Sequence, residues 1–284
     1  MNVDFVRFQA TDGLELQGWL SDAKGEKAVI HIHGMSGNGY ENYFLDVLRA
    51  MYTAHGISFF TIDTRGRGII SSFWKGNESI LAGSCFEIFE ESVHDIQGAI
   101  DYLRSLGKKE IVLQGHSLGG SKVVHYLVSK KDPSVKAAIL LAPTDMVGWA
   151  KTDPHNTKYV AKAKELIAQG KVEELVSSQC WLDKTSISAQ TYETICGAGK
   201  AVDIYGHGGD AVLGNVTTPM LIVYGDNDIG ITEIDGTIGV WEKRIEKIKH
   251  SNTEIAIIKG APHGFKIFEE KLAQTIERFV VSKT

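Results

Sequence analysis

The chain has 284 residues, 43% hydrophobic and 23% charged, an ordinary globular composition with room for one α/β domain carrying an insertion. Thirty-five Asp and Glu against 30 Lys and Arg give a net charge of −5, and no basic block exceeds a few residues, which argues against a nucleic-acid partner. Cys85, Cys180 and Cys196 form no C-x-x-C pair and read as free thiols, the start lacks a signal-peptide core, and no apolar run reaches membrane-spanning length, so a soluble, cytoplasmic chain is expected, with no membrane partner.

The first element is a hairpin. "VDFVRFQATDGLELQGWL" alternates apolar and polar residues around a Thr-Asp-Gly turn. Six nearly continuous apolar runs follow: residues 27–34, 56–68, 110–117, 136–143, 219–226 and 253–263. Such runs are how strands of a parallel sheet read when helices cover both faces. Between them lie amphipathic stretches. In 87–107, Phe89, Val93, Ile96, Ile100 and Leu103 recur at steps of four and three, and Gly107 is a natural stop. Helices are also expected from Ser117, across "VWEKRIEKIKH" and across "GFKIFEEKLAQTIERFVVS". Strand and helix alternate, so the expected fold class is α/β, a mostly parallel central sheet flanked by helices.

One connection is too long for a strand–helix–strand link. Pro143 and Pro219 are separated by a stretch with helical pieces of its own, "KYVAKAKELIAQG", "KVEELVSS" and "SISAQTYETIC". Residues 144–216 are therefore expected to form an inserted helical cap, with 1–143 and 217–284 as the core domain. Residues 69–86 are expected to be a long loop.

"LQGHSLGGSK" carries the chemistry. Gly115-His116-Ser117-Leu118-Gly119 is a G-x-S-x-G set between an expected strand and an expected helix. The glycines permit a sharp turn that exposes the Ser117 hydroxyl at a strand's carboxyl end. A serine is a poor nucleophile until a base takes its proton, and the base needs a carboxylate to orient it. The motif's usual chain order is serine, acid, histidine. His250 and His263 lie late enough. His250 ends a charged helix, whereas His263 follows "IAIIKGAP" at a strand's carboxyl edge and is the expected base. Asp226, Asp228 and Asp145 each follow a strand and are candidate acids. Two backbone donors should face the developing oxyanion, the Leu118 N–H and, from "HIHGMSGNG", the Met35 N–H. His31 and His33 face one side of a strand and offer a metal pair as an alternative. No further ligand follows at useful spacing, and no metal is expected.

These motifs, "HIHGMSGN", "IDTRGRG", "GHSLGG", "YGDND" and "GAPHGF", resemble the α/β-hydrolase superfamily, and most of all its capped serine esterase and lipase-like branches. The resemblance covers the chain outside the cap. In those relatives the acid stands three residues after the strand-ending glycine. Gly225 plus three is Asp228, so the resemblance selects Asp228 over Asp226. It departs at "RGRGII", where relatives often carry a serine directly after the second glycine. The resemblance implies hydrolysis of a carboxylic ester through an acyl-enzyme, with Ser117, His263 and Asp228 as triad and Met35 and Leu118 as oxyanion hole. It implies no cofactor, and a largely apolar small-molecule ester as partner, lactones and macrolactones included. Trp149, Trp181 and Tyr192 of the cap are candidate substrate contacts, with Trp74 and Tyr205 as further aromatics. Amide, thioester or carbon–carbon hydrolysis with the same triad, and a non-catalytic small-molecule receptor, are the alternatives.

Overall fold

A computed structural model describes residues 2–180 and 185–283. The chain opens with an antiparallel hairpin, β1 (Asp4–Gln9) and β2 (Glu15–Ser21), then β3 (Lys27–Ile32), α1 (Phe44–Ala54) and β4 (Ser58–Asp63). A small hairpin, β5 (Ser71–Lys75) and β6 (Glu78–Ala82), precedes α2 (Ser92–Ser105). Then come β7 (Glu110–His116), α3 (Leu118–Ser129) and β8 (Val135–Leu141). Between β8 and the next strand of the main sheet come α4 (Met146–Thr152), α5 (Asn156–Ala168), β9 (Leu175–Cys180), β10 (Thr185–Ser188) and α6 (Ala189–Cys196). The chain closes with β11 (Met220–Gly225), α7 (Ile229–Ile234), α8 (Ile238–Ile248), β12 (Thr253–Ile258) and α9 (Glu269–Lys283).

Eight strands form one sheet in the order β1-β2-β4-β3-β7-β8-β11-β12. The β1–β2 and β2–β4 pairs are antiparallel and the remaining five are parallel. The central strands are apolar on both faces because helices cover both. Ile111, Val112 and Leu113 of β7 are fully buried, as are Ile139, Leu140 and Leu141 of β8. The expected α/β architecture is the one observed. The parallel strands all deliver their carboxyl ends, and the loops that follow them, to one edge.

A second apolar cluster joins Met146, Val147, Leu166, Ile187 and Tyr192, from the stretch between β8 and β11, to Phe89 and Leu118. Two expectations within the loops fail. Residues 171–178 are not helical: β9 starts at Leu175 and pairs with β10. Residues 69–86 are not an open loop but the β5–β6 hairpin, turned at Gly76 with φ +60°. No helix among the described residues is long and apolar enough to cross a membrane.

Candidate active site

Ser117 follows β7 directly and takes φ +56°, ψ −127°, a left-handed conformation costly for any side chain but glycine. The surrounding packing imposes it. A Cβ on Gly119 would lie 2.2 Å from the Ile32 carbonyl oxygen, so β3 and the start of α3 can approach only through glycine. Four other non-glycine residues with positive φ are found among the described residues: Ser36, Ala142, Phe265 and Ile267. They follow β3, β8 and β12. The backbone strain of the molecule therefore gathers on loops at the sheet's carboxyl edge, where functional sites of open α/β sheets are built.

Asp228 and His263 meet at that edge. The His263 Nδ1 lies 2.9 Å from Asp228 Oδ2 and 3.1 Å from Oδ1. Asp228 is wholly buried, and its Oδ1 also accepts the Gly230 N–H at 2.7 Å. The other two candidate acids are engaged elsewhere. Asp226 accepts the Gly260 N–H across the turn after β12. Asp145 caps α4 through the Gly148 N–H at 2.9 Å and binds His207 Nε2 at 2.8 Å and Arg244 at 2.7 Å. Burial alone would raise the Asp145 carboxyl. The hydrogen bonds and charges of His207 and Arg244 outweigh it and hold the carboxyl below its ordinary value.

Among the described residues no hydrogen bond joins the Ser117 hydroxyl to His263. The hydroxyl shares a hydrogen bond of 2.7 Å with Thr144 Oγ1, just beyond β8. Met35 and Leu118 stand on either side of the elbow. Leu118 opens α3, so no helix carbonyl receives its N–H. Met35 packs on the same apolar cluster as Leu118, and a Cβ on its neighbour Gly34 would lie 2.8 Å from Ser117 Cβ.

His33 secures the Met35 turn. Its Nε2 accepts the Thr64 N–H at 3.0 Å, and its Nδ1–H donates to Gly34 O at 2.7 Å. Burial, then the nearby Lys122 charge, lowers its pKa to about 3. Both ring nitrogens are thus taken by backbone. His31 is buried in the core, where it meets Gln114 at 2.8 Å. Both histidines are buried and hydrogen-bonded within the fold.

Of the aromatic candidates, Trp149 lines a space of about 10 Å³ shared with His263, Asp228, Ile229 and Arg244. Tyr192 lines a different cavity, of about 330 Å³, between α4, α5 and α6, and its hydroxyl donates to Asn156 Oδ1. Trp181 lies outside the described residues. Trp74 projects from the β5–β6 hairpin with 57% of its surface exposed, and Tyr205 is buried with its hydroxyl on Pro143 O. Among the described aromatic candidates, Trp149 alone lines the space beside His263.

Several residues near this edge escape sequence reasoning. His116, inside the motif, donates from Nε2 to His263 O at 3.0 Å and so pins the backbone of the candidate base. Burial, then the proximity of His263, lowers the pKa of His116 to about 4. Lys122 and Glu87, both wholly buried, form an ion pair. Thr144 carries no signal beyond following a strand.

Residues 79–282 match the protein family described as "Protein of unknown function (DUF1749)". A non-heme chloroperoxidase, CPO-A1, from Kitasatospora aureofaciens is 25% identical over 274 residues, which is 89% of this chain and 90% of that protein. Among solved structures, Est1E from Butyrivibrio proteoclasticus, with ferulic acid bound, superposes with a TM-score of 0.69 at 20% identity, over 97% of this chain and 98% of that one. The α/β hydrolase GrgF from Penicillium sp. sh18 superposes with a TM-score of 0.73 at 19% identity, over 100% and 99%. The fold shared with these structures is that of the α/β hydrolases, and the family match over most of the chain makes it a member of the DUF1749 family.

Proposed function

We propose that the protein is a serine hydrolase that cleaves a carboxylic ester of a small, largely apolar molecule through an acyl-enzyme. The observation that carries this reading is the His263–Asp228 pair at 2.9 Å, placed on the same strained edge as Ser117. Fold likeness to esterases supports it without deciding it.

In this reading the Ser117 hydroxyl turns to His263 Nε2 and loses its proton to it as Oγ attacks the ester carbonyl. Asp228 accepts the Nδ1–H, which fixes the tautomer that leaves Nε2 free as base, and then stabilises the imidazolium. The Met35 and Leu118 N–H groups receive the oxyanion. His263 returns the proton to the departing alcohol. Water, activated by the same imidazole, breaks the acyl–Ser117 bond and releases the acid. The Trp149 face sets which acyl or alcohol groups fit. The test is turnover of short p-nitrophenyl esters, with Ser117→Ala as control. Hydrolysis by the parent and its loss in the variant are expected, and full activity without Ser117 overturns the reading.

A further inference from the structure

Thr144 is buried, and among the described residues its hydroxyl has one hydrogen-bond partner, Ser117 Oγ at 2.7 Å. Its backbone is fixed on every side. The Thr144 N–H donates to Ser117 O at 3.3 Å, and Ser121 Oγ donates to Thr144 O at 3.1 Å. On one flank, Pro143 O accepts the hydroxyls of Tyr205 and Tyr224. On the other, Asp145 is tied to Gly148, His207 and Arg244. The hydroxyl is therefore held in place by a network that does not involve the Ser117 hydroxyl.

That fixed hydroxyl competes with the base. General-base catalysis needs the serine oxygen within about 2.6–3.2 Å of the imidazole nitrogen. The Ser117 hydroxyl instead lies against Thr144, while His263 is bound to Asp228. We propose that Thr144 is a positioning residue that holds the Ser117 hydroxyl away from His263 in the free protein, so that Ser117 must leave Thr144 before it can attack. The proposal rests on the reading of Ser117 as nucleophile. A well-fitting substrate draws Oγ toward its carbonyl carbon and turns its O–H to His263 Nε2, which replaces the hydrogen bond to Thr144; a poorly fitting one does not. Thr144 thereby slows reaction with compounds that do not fit.

A fluorophosphonate probe tests both levels. Ser117 Oγ forms a bond to phosphorus, the P–F bond breaks, fluoride leaves, and the serine proton passes to His263. The measured quantity is the second-order labelling rate of the full chain. Ser117→Ala should not be labelled. Thr144→Val should label faster than the parent by about 2- to 10-fold, the equivalent of one neutral hydrogen bond. Thr144→Ser should restore the parent rate, and thermal melting should show each variant folded. A residue with a merely structural role would lower stability and labelling together, and would not speed labelling. Should valine not fold, Thr144→Ala serves with the same expectation. A Thr144→Val or Thr144→Ala rate equal to or below the parent's overturns the Thr144 proposal and leaves the Ser117 reading intact. Absence of label at Ser117 in the parent overturns both.

Discussion

Asp228 holds His263 by Nδ1 at 2.9 Å while the Gly230 N–H anchors the same carboxylate at 2.7 Å. One oxygen pair thus fixes both the ring's tautomer and the start of α7. An asparagine at this position would keep the shape and present an amide to Nδ1. The imidazole then favours the tautomer with Nε2 protonated, which cannot accept from serine. Asp228→Asn is expected to lower ester turnover by about four orders of magnitude, the scale known for protease triads. Asp226→Asn, which loosens a turn only, should stay within a few-fold of the parent. Steady-state kinetics of the two variants side by side decide between them, and the reverse order of losses rejects Asp228 as the orienting acid.

Trp149 borders the space beside His263, and about 10 Å³ holds no more than one water. A bound ester must displace this side chain or Ile229 across from it. Trp149→Ala is expected to favour bulky acyl esters over acetate, seen as a lower KM for the bulky series with kcat on the small ester little changed. Melting must accompany the kinetics, because truncating a packed tryptophan costs about 3–5 kcal/mol. An unchanged ratio of large to small substrates in a folded variant removes Trp149 from the substrate pocket.

The Lys122–Glu87 pair is an ionic contact with no solvent around it. Lys122→Met should destabilise the protein by about 3–5 kcal/mol, because Glu87 is left buried and uncompensated. The double variant Lys122→Met, Glu87→Met should recover most of that loss. Urea unfolding of the three proteins measures the coupling, and additive losses would show that the two charges do not stabilise one another.

His33 and His116 are neutral in the folded state, with values near 3 and 4 against 6.5 for a free histidine. Between those limits the unfolded chain binds more protons than the folded one, so stability falls as pH drops below about 6.5. Each contributes about 2 kcal/mol of loss between pH 6.5 and 5. Asp145 acts lower down: its folded value is depressed, so the stability it supplies is present above the unfolded carboxylate value of 3.8 and is lost as pH falls through the folded value. Urea midpoints at pH 7 and pH 5 should differ accordingly, and His116→Gln should reduce the slope by about one proton. A flat profile over that range would mean these rings are protonated when folded.

Much of the site was legible before the fold was known. Gly115 to Gly119 marked the elbow because only small residues let β3 and α3 pass so close. His263 stood out by following an apolar run, and such runs end where the sheet's loops begin; Asp226, Asp228 and Asp145 all shared that placement, and only the family resemblance separated Asp228 from Asp226. The failures have physical causes. Residues 171–178 follow a Lys- and Glu-rich helical text, and their partner strand, 185–188, is short and decides the outcome by pairing that local propensity does not report. The β5–β6 hairpin alternates around Gly76 and Asn77, yet it lies half in solvent and leaves Trp74 exposed. Thr144 was invisible because its role depends on a neighbour 27 positions away in the chain.

The strand that leads to His263 is the last in the sheet, hydrogen-bonded on one side to β11. Edge strands are where local unfolding begins, at a free energy below that of the whole molecule. Ser117, by contrast, follows β7, flanked on both sides by β3 and β8. Fraying at the rim would carry off the base and leave the nucleophile in place. Warming should therefore silence the protein several degrees before its circular dichroism changes, and hydrogen exchange should find the amides of Ile255 to Ile258 opening earlier than those of Val112 to Gln114.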